Sequence, residues 1–375
     1  MKFKAVKPEN LKKMEKGMYD EASEKGLPFD IWLEDYITTP EGGGFEKTVY
    51  HGMTNYDKAA YQNQLIKEGT NAQDLPVDAL KLALAVQGIR AFGSNTDNVS
   101  KFYENSQSLI LFPVYVTNQI YGASLRAGRV QDLIANTTTI TGLDFRKIYL
   151  ADTEPDRQMG ITARGAEAPS KHYKVRKETV YLTKYMISLL FDYEALYDTP
   201  LNLYNTVLMK IGDQFAIDET DDLIYALING DGNTNGLESA QTVTTVTSTA
   251  IEKLDIIGLK SALPLPYELD VFVGKKAYMR KYWDALSDMQ NPAQQWGMTG
   301  MSLPRGYDWD RTIVTADRFF GVDSKRAVGL VTNDTAIMTE TDKIINRQVV
   351  ETVLSKRSKF HIIEQDAIGC LDIEH

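Results

Sequence analysis

The residues able to do chemistry are few and far apart. The four histidines are His51, His172, His361 and His375, and no two are close in sequence. Local metal-ligand motifs place histidines at short fixed spacings, as in HExxH, and neither HExxH nor a related spacing is present. His361 falls in an alternating stretch, where a packed or surface histidine is expected rather than a ligand. The single cysteine, Cys370 in AIGCLDI, excludes an internal disulfide framework and reads as a small buried strand residue, not an activated thiol. There is no GxSxG nucleophile elbow. Gly42–Gly44 is not followed by GK[ST], and Gly274-Lys275-Lys276 lacks the earlier glycine of a phosphate-cradling loop.

Two acidic groups come closer to a site. Asp231, Asn233, Asn235 and Gly236 match the first half of a calcium loop, which needs oxygen ligands at alternate positions and a glycine at the sharp turn. The twelfth position, where a bidentate glutamate belongs, is Thr242, which favours a helix-terminating turn. Helical spacing brings Asp218 to the same side as Asp221 and Asp222, with Glu219 adjoining. Such a cluster has the form of a metal or acid–base group, but on a long helix it is expected to be solvated or to face a basic partner. The basic run Lys171, Lys174, Arg176 and Lys177, with Tyr173 and Tyr181, has the residue types of a nucleic-acid contact. Alternating charges on a ribbon point instead to solvent or subunit contacts. Catalysis is unsupported at each position, and neither a cofactor nor a metal is expected.

The composition excludes wholesale disorder and argues against a protein built to grip nucleic acid. The chain has 375 residues, 43% apolar, with a formal charge of −10. Residues 1–187 hold 24 basic and 23 acidic side chains, and residues 188–375 hold 17 and 28. Since 343–375 balances five against five, the whole acidic excess lies in 188–342. A chain whose main task is gripping phosphates would cluster Lys and Arg instead. The opening MKFKAVKPENLKK carries charge without an apolar run, so no secretory signal is expected. Leu109–Val116 is far shorter than the roughly 20 residues a bilayer demands. A soluble, cytoplasmic product is expected.

Residues 1–70 show no clear period and read as an extended arm or a small lobe. Pro76, Val77, Leu80 and Leu84 predict a helix running to Gly93. LDFRKIYL and KVRKETVYLTKYMISLL are β-rich; in the second, Val175, Thr179, Tyr181, Thr183, Tyr185 and Ile187 share one parity, as on one strand. They predict a long two-stranded excursion over 143–187 with a polar tip. Tyr204, Val207, Leu208, Ile211, Phe215, Leu223, Leu227 and Ile228 predict a helix over 201–229, ended by NGDGNTNG. Further helices are expected at 250–262 and 274–288, and a loop over 290–307. Short strands are expected at Val271–Val273, Thr312–Val314, Ala327–Val331 and Ala336–Met338. IINRQVVETVL, SKFHIIE and AIGCLDI predict three tandem strands. The mixed order, without a sustained βαβ period, predicts an α+β fold.

This order resembles the major capsid proteins of tailed bacteriophages, the Hong Kong 97-type fold. The residues that carry the resemblance are LINGDG at Leu227–Gly232 with Asn233–Leu237, which match the turn closing that family's spine helix. GAEAPSKHYKVRKETVYLTKYMISLLFDYEAL resembles the descending strand of its E-loop. ELDVFVGKKAYMRKYWDALSD resembles a strand–helix pair of its axial domain, and QVVETVLSKRSKFHIIEQDAIGCLDI its peripheral-domain strands with the return strand. The likeness covers roughly 105–375.

The resemblance implies an N-terminal arm or added lobe over 1–105, an E-loop-like hairpin at 143–187 and a peripheral domain with spine helix at 188–240. An axial domain at 241–338, peripheral strands at 339–366 and a return strand at 367–375 follow. It implies a structural protein of the virion, made in the host cytoplasm, that assembles as pentamers and hexamers of an icosahedral shell around double-stranded DNA without sequence-specific contacts. Portal, scaffolding and decoration proteins are implied partners, and a membrane is not. An encapsulin-type nanocompartment shares the fold; a soluble hydrolase or calcium-binding protein centred on 229–238 is the alternative of another class. Some family members weld subunits by a Lys–Asn bond assisted by Glu. Those Asn and Glu positions fall near Val350 and Arg357, so no such crosslink is expected. The ribbon 143–187 holds nine basic and six acidic residues. Arg157, Arg164, Lys171, Lys174 and Arg176 are therefore expected to meet an acidic face of a neighbour that includes Asp218, Asp221 and Asp222.

Overall fold

The computed structural model describes residues 17–27, 29–53, 55–70, 75–92, 96–127, 130–140, 142–150, 164, 175–230, 241–244, 251, 255–256, 258–259, 263, 267–287, 305–309, 318–333 and 338–372. In chain order its helices are α1 (Gly17–Glu24), α2 (Phe29–Tyr36), α3 (Asn55–Lys67), α4 (Ala79–Val86), α5 (Ser106–Ala127), α6 (Val130–Leu133), α7 (Tyr193–Asp198), α8 (Leu201–Asn229) and α9 (Lys276–Ser287). The strands are β1 (Asn136–Thr139), β2 (Asp144–Leu150), β3 (Val175–Tyr181), β4 (Thr183–Asp192), β5 (Gln241–Thr244), β6 (Val271–Gly274), β7 (Arg305–Asp308), β8 (Arg318–Val322), β9 (Val328–Thr332), β10 (Met338–Ile344), β11 (Val349–Ile362) and β12 (Ile368–Asp372). The chain is α+β, as its mixed order of elements predicts.

It divides into two units. The first comprises 1–131, 183–222 and 332–358; the second comprises 132–182, 223–331 and 359–375. In the first, the described part of the weakly periodic stretch, from residue 17 onward, holds the short helices α1, α2 and α3. Eight-residue helices are too short to show a period, and they are held by packing. Tyr19, Phe29, Trp32 and Tyr36 stack in series, with ring centroids 4.1, 5.4 and 4.7 Å apart. Phe29, Trp32, Leu33, Leu80, Leu84, Phe112 and Tyr115 join Leu201, Tyr204, Leu208 and Val350 in one core. Asp78 caps α4 by accepting the Lys81 N–H, so the helix begins after Pro76 and Val77 and not at Pro76. Gly212 lets α8 approach α5 closely: a Cβ there would sit 2.4 Å from the Ile120 carbonyl oxygen.

Beneath these helices lies a buried charge network. Lys58, 5% exposed, has its Nζ 3.3 Å from Asp78 Oδ2 and 3.6 Å from Glu34 Oε1. Glu34 also accepts from the Ala79 N–H at 2.9 Å and from the Thr48 hydroxyl. Asp30 is buried beside them. Burial pushes the Glu34 carboxyl above its ordinary range, against the pull of Lys58; burial works to lower the Lys58 ammonium, and the carboxylates of Asp78, Asp30 and Glu34 together outweigh it and raise it. The sheet of this unit runs β4–β11–β10. β11 is antiparallel to both neighbours, Lys184 facing Arg357 and Asp192 facing Val349 along β4.

In the second unit β2 and β3 form an isolated antiparallel ribbon, with Asp144 opposite Tyr181 and Leu150 opposite Val175. The five-stranded sheet is ordered β5–β12–β8–β6–β7. Met279 and Tyr282 of α9 pack on Phe272 and Phe319 of this sheet. β1 and β9 are hydrogen-bonded neighbours and belong to the same five-stranded sheet as β4, β11 and β10. Several expectations shift. Ser106–Ala127 is a 22-residue helix that contains Pro113. Strand β7 occupies the end of the expected 290–307 loop. QVVETVL and SKFHI form one 14-residue strand instead of two. The expected single strand over 175–190 is broken at Leu182 into β3 and β4. Of the helix expected at 250–262, residues 255–256 and 258–259 are helical, and the strand expected at Thr312–Val314 lies outside the described residues.

Candidate assembly surface

Within the first unit, α5, β4, α8 and β11 enclose an open, mainly apolar cleft of about 590 Å³. Ile120 of α5, Met186 and Ile187 of β4, Val207 and Ile211 of α8 and Leu354 of β11 supply its apolar walls. The helix contributes through its periodicity: 207, 211, 214 and 218 recur at three- and four-residue steps and therefore fall on one stripe. At the cleft's inner end Lys356 Nζ lies 2.5 Å from Glu219 Oε1, over the rings of Tyr121 (5.7 Å) and Phe215 (5.3 Å). Tyr185 is hydrogen-bonded to Asp222; burial first, then that carboxylate, pushes the phenol upward. These charges are paired and packed, which suits a structural seat.

The outward side of the same region is apolar. Met186 is 60% exposed and Leu190 58%, and Leu203 and Val207 of α8 are also exposed. One copy of the chain leaves this surface wet. The parity pattern hides it, because Tyr185–Phe191 is apolar on both faces apart from Ser188. The detectable signal is the absence of charge across those seven residues.

The structure treats the expected contact residues unequally. Asp218 is exposed and accepts a 2.7 Å hydrogen bond from Gln214. Asp222 is half-buried on Tyr185. Asp221 is only 2% exposed in the single chain. Arg164 is exposed, and Arg176 lies on β3 opposite Tyr149. Arg157, Lys171 and Lys174 lie outside the described residues, as do Asp231, Asn233, Asn235, His172 and His375. His51 contacts Asp35 at 3.1 Å, His361 is buried beside Phe145, and Cys370 is buried in β12. Among the described residues no three His, Cys, Asp or Glu side chains are grouped to hold a metal ion, and no helix is long and apolar enough to cross a membrane.

No family model matches this sequence, and no curated protein matches it. Among solved structures, the chain is similar to the capsid of a native GTA particle, at 18% identity and a TM-score of 0.45, covering 67% of this chain and 89% of that one. It is similar to a chain from Microbacterium phage Oxtober96 at 11% identity and a TM-score of 0.46, covering 65% and 90%. It is also similar to the holo-SrpI encapsulin complex from Synechococcus elongatus PCC 7942 at 11% identity and a TM-score of 0.46, covering 64% and 85%.

Proposed function

We propose that this chain is a shell-forming structural protein of the Hong Kong 97 type, the major capsid protein of a tailed-phage-like particle. The observation that carries the reading is a run of consecutive elements along the chain that includes uncovered apolar surface suited to other copies. The self-paired ribbon β2–β3 leads directly into the exposed apolar strand β4, and from there through α7 into the 29-residue helix α8, with Leu203 and Val207 uncovered. At 1.5 Å per residue α8 extends about 43 Å, enough to act as a strut. Its terminating LINGDG and the following strands occur in the order that the capsid resemblance implies.

In this reading 143–187 is the E-loop, α8 the spine, 241–338 the axial domain, 339–366 the peripheral strands and 367–375 the return strand. Residues 1–105 are a packed added lobe. The product is an icosahedral shell of pentamers and hexamers that encloses double-stranded DNA, built in the host cytoplasm with portal and scaffolding proteins. Arg157, Arg164, Lys171, Lys174 and Arg176 meet Asp218 and Asp222 of a neighbour, and these pairs select partner and register more than they add affinity. Reversing three of the basic charges blocks assembly, and reversing Asp218 and Asp222 rescues it; normal assembly of the reversed protein sinks the pairing. Val350 is buried and apolar, so boiled particles run as monomers on a denaturing gel without a covalent ladder.

The deciding experiment is negative-stain microscopy of the purified full chain. Large closed shells are expected, and particles of subunit size end the proposal. Nuclease-protected DNA in particles from producing cells is expected; an enzyme cargo without DNA would make it a nanocompartment instead.

A further inference from the structure

Strand β4 carries a second message in its sequence. On one side it pairs along its whole length with β11, and among the described residues no strand takes its other side. Unpaired, long, apolar edges invite pairing with another chain, and proteins normally blunt them with charge, proline or a bulge. Among the described residues this edge is left open from Tyr185 to Phe191, with one cation, Lys184, before the run and one anion, Asp192, after it. Lys184, Met186, Ser188, Leu190 and Asp192 alternate on one face, and all five are exposed. Asp192 stands at the N-cap of α7 but makes no side-chain cap bond there.

We propose that β4 is a self-complementary docking edge, which pairs antiparallel with β4 of a second copy across a two-fold axis at Ser188. In that register every residue meets the one equally distant on the far side of the axis. Lys184 meets Asp192 of the partner subunit, and symmetry makes this ion pair twice. Met186 meets Leu190 of the partner subunit, again twice, and Ser188 meets its own copy. Opposed charges and apolar pairs are the units that stabilise a sheet edge. The charges also fix the alignment. Moving the axis to Ile187 sets Lys184 against Leu190 and Asp192 against Leu182, while moving it to Leu189 sets Met186 against Asp192. Only the Ser188 axis satisfies both ends and the middle. A contact that pairs a patch with itself is isologous and closes at two copies, so it does not propagate as a fibre.

The contact stands apart from the shell reading, since a two-fold dimer needs no shell. Its test uses the full chain with Ser188→Cys. Opposed residues in an antiparallel pair lie about 4.5–5.5 Å apart at Cα, within the reach of a disulfide. Native Cys370 is buried and does not compete. Mild oxidation is expected to give a covalent dimer on a non-reducing gel. Leu190→Cys is expected to give none, because two copies of residue 190 are offset by four positions, about 13 Å. Charge swaps supply an independent readout in sedimentation of the unassembled protein. Lys184→Asp sets like charges together at both ends and is expected to weaken the dimer at least ~10-fold, and Lys184→Asp with Asp192→Lys restores it. Equal crosslinking at 188 and 190 overturns the proposal, as does failure of the double swap in a chain with unchanged circular dichroism. Shells from a Ser188→Cys chain that forms no crosslinked dimer sink this contact alone; a crosslinked dimer without shells sinks the shell reading alone.

Discussion

The buried network around Lys58 and the exposed strand β4 solve opposite problems. Lys58 is paired with Asp78 and Glu34 with Asp30 buried nearby, Glu34 in turn accepts from the Thr48 hydroxyl and the Ala79 N–H, and α2, α3 and α4 all contribute. Every element there is answered from within the chain. On β4 the arrangement is inverted: apolar side chains face water, and the polar residues stand only at the centre and the ends. Buried ionic groups specify one arrangement of a core, whereas exposed apolar strands specify a partner. On the proposed reading the first unit keeps its fold and its associations on separate sets of residues, which can be broken separately.

The largest effect belongs to the network. Lys58→Met leaves Asp30, Glu34 and Asp78 facing one another without a cation, and is expected to cost about 3–5 kcal/mol in urea unfolding of the first unit. A loss under about 1 kcal/mol would show that the carboxylates had already taken up protons. Next comes Gly212→Ala. The added methyl meets the Ile120 carbonyl and the Ala123 methyl, so about 1–3 kcal/mol of destabilisation is expected despite alanine's better helix propensity. A gain in melting temperature would mean that α5 and α8 can part.

A pH titration sharpens the contrast further. The Glu34 carboxyl is raised, so the folded unit favours its neutral form, and its contribution is fullest below the ordinary glutamate value and declines as pH rises through the raised one. Glu34→Gln is expected to flatten that decline, seen by comparing denaturation midpoints from acid to neutral pH. The smallest effect on stability is expected from Leu190→Lys, within about 0.5 kcal/mol of the parent, because the residue is exposed. The same change is expected to abolish particle formation. If it also unfolds the protein, β4 belongs with the network and the separation fails.

How much of this was legible follows the range of the interactions. α8 begins and ends where its apolar period and the NGDG stop place it, because a long helix repeats its local signal many times. α5 was not legible: Leu109–Val116 is apolar without a period, and Pro113 argues against a helix interior. The Thr117 hydroxyl reaches back to the Pro113 carbonyl there, in a helix held by its core. Ser355–Ser358 reads as a break between strands, yet it is the middle of β11. What no local window shows is that Lys356 will be neutralised by Glu219, 137 positions away in the chain. The candidate surface was half legible for a similar reason. Charge balance pointed to the ribbon and to Asp218, but which aspartates face inward is decided by helix packing, and the open edge of β4 emerges only once β11 has taken the other side.

The place of β12 in its sheet has a consequence for timing. Residues 368–372 lie between β5 and β8, parallel to one and antiparallel to the other, so they form an inner strand and not an added edge. A chain still on the ribosome cannot complete that sheet until Asp372 has emerged. β5 and β8 must wait with open edges through the synthesis of everything between them and β12. Long-separated strand partners close slowly. The molecule thus carries a built-in delay: the five-stranded sheet of the second unit is completed only in a chain made through β12.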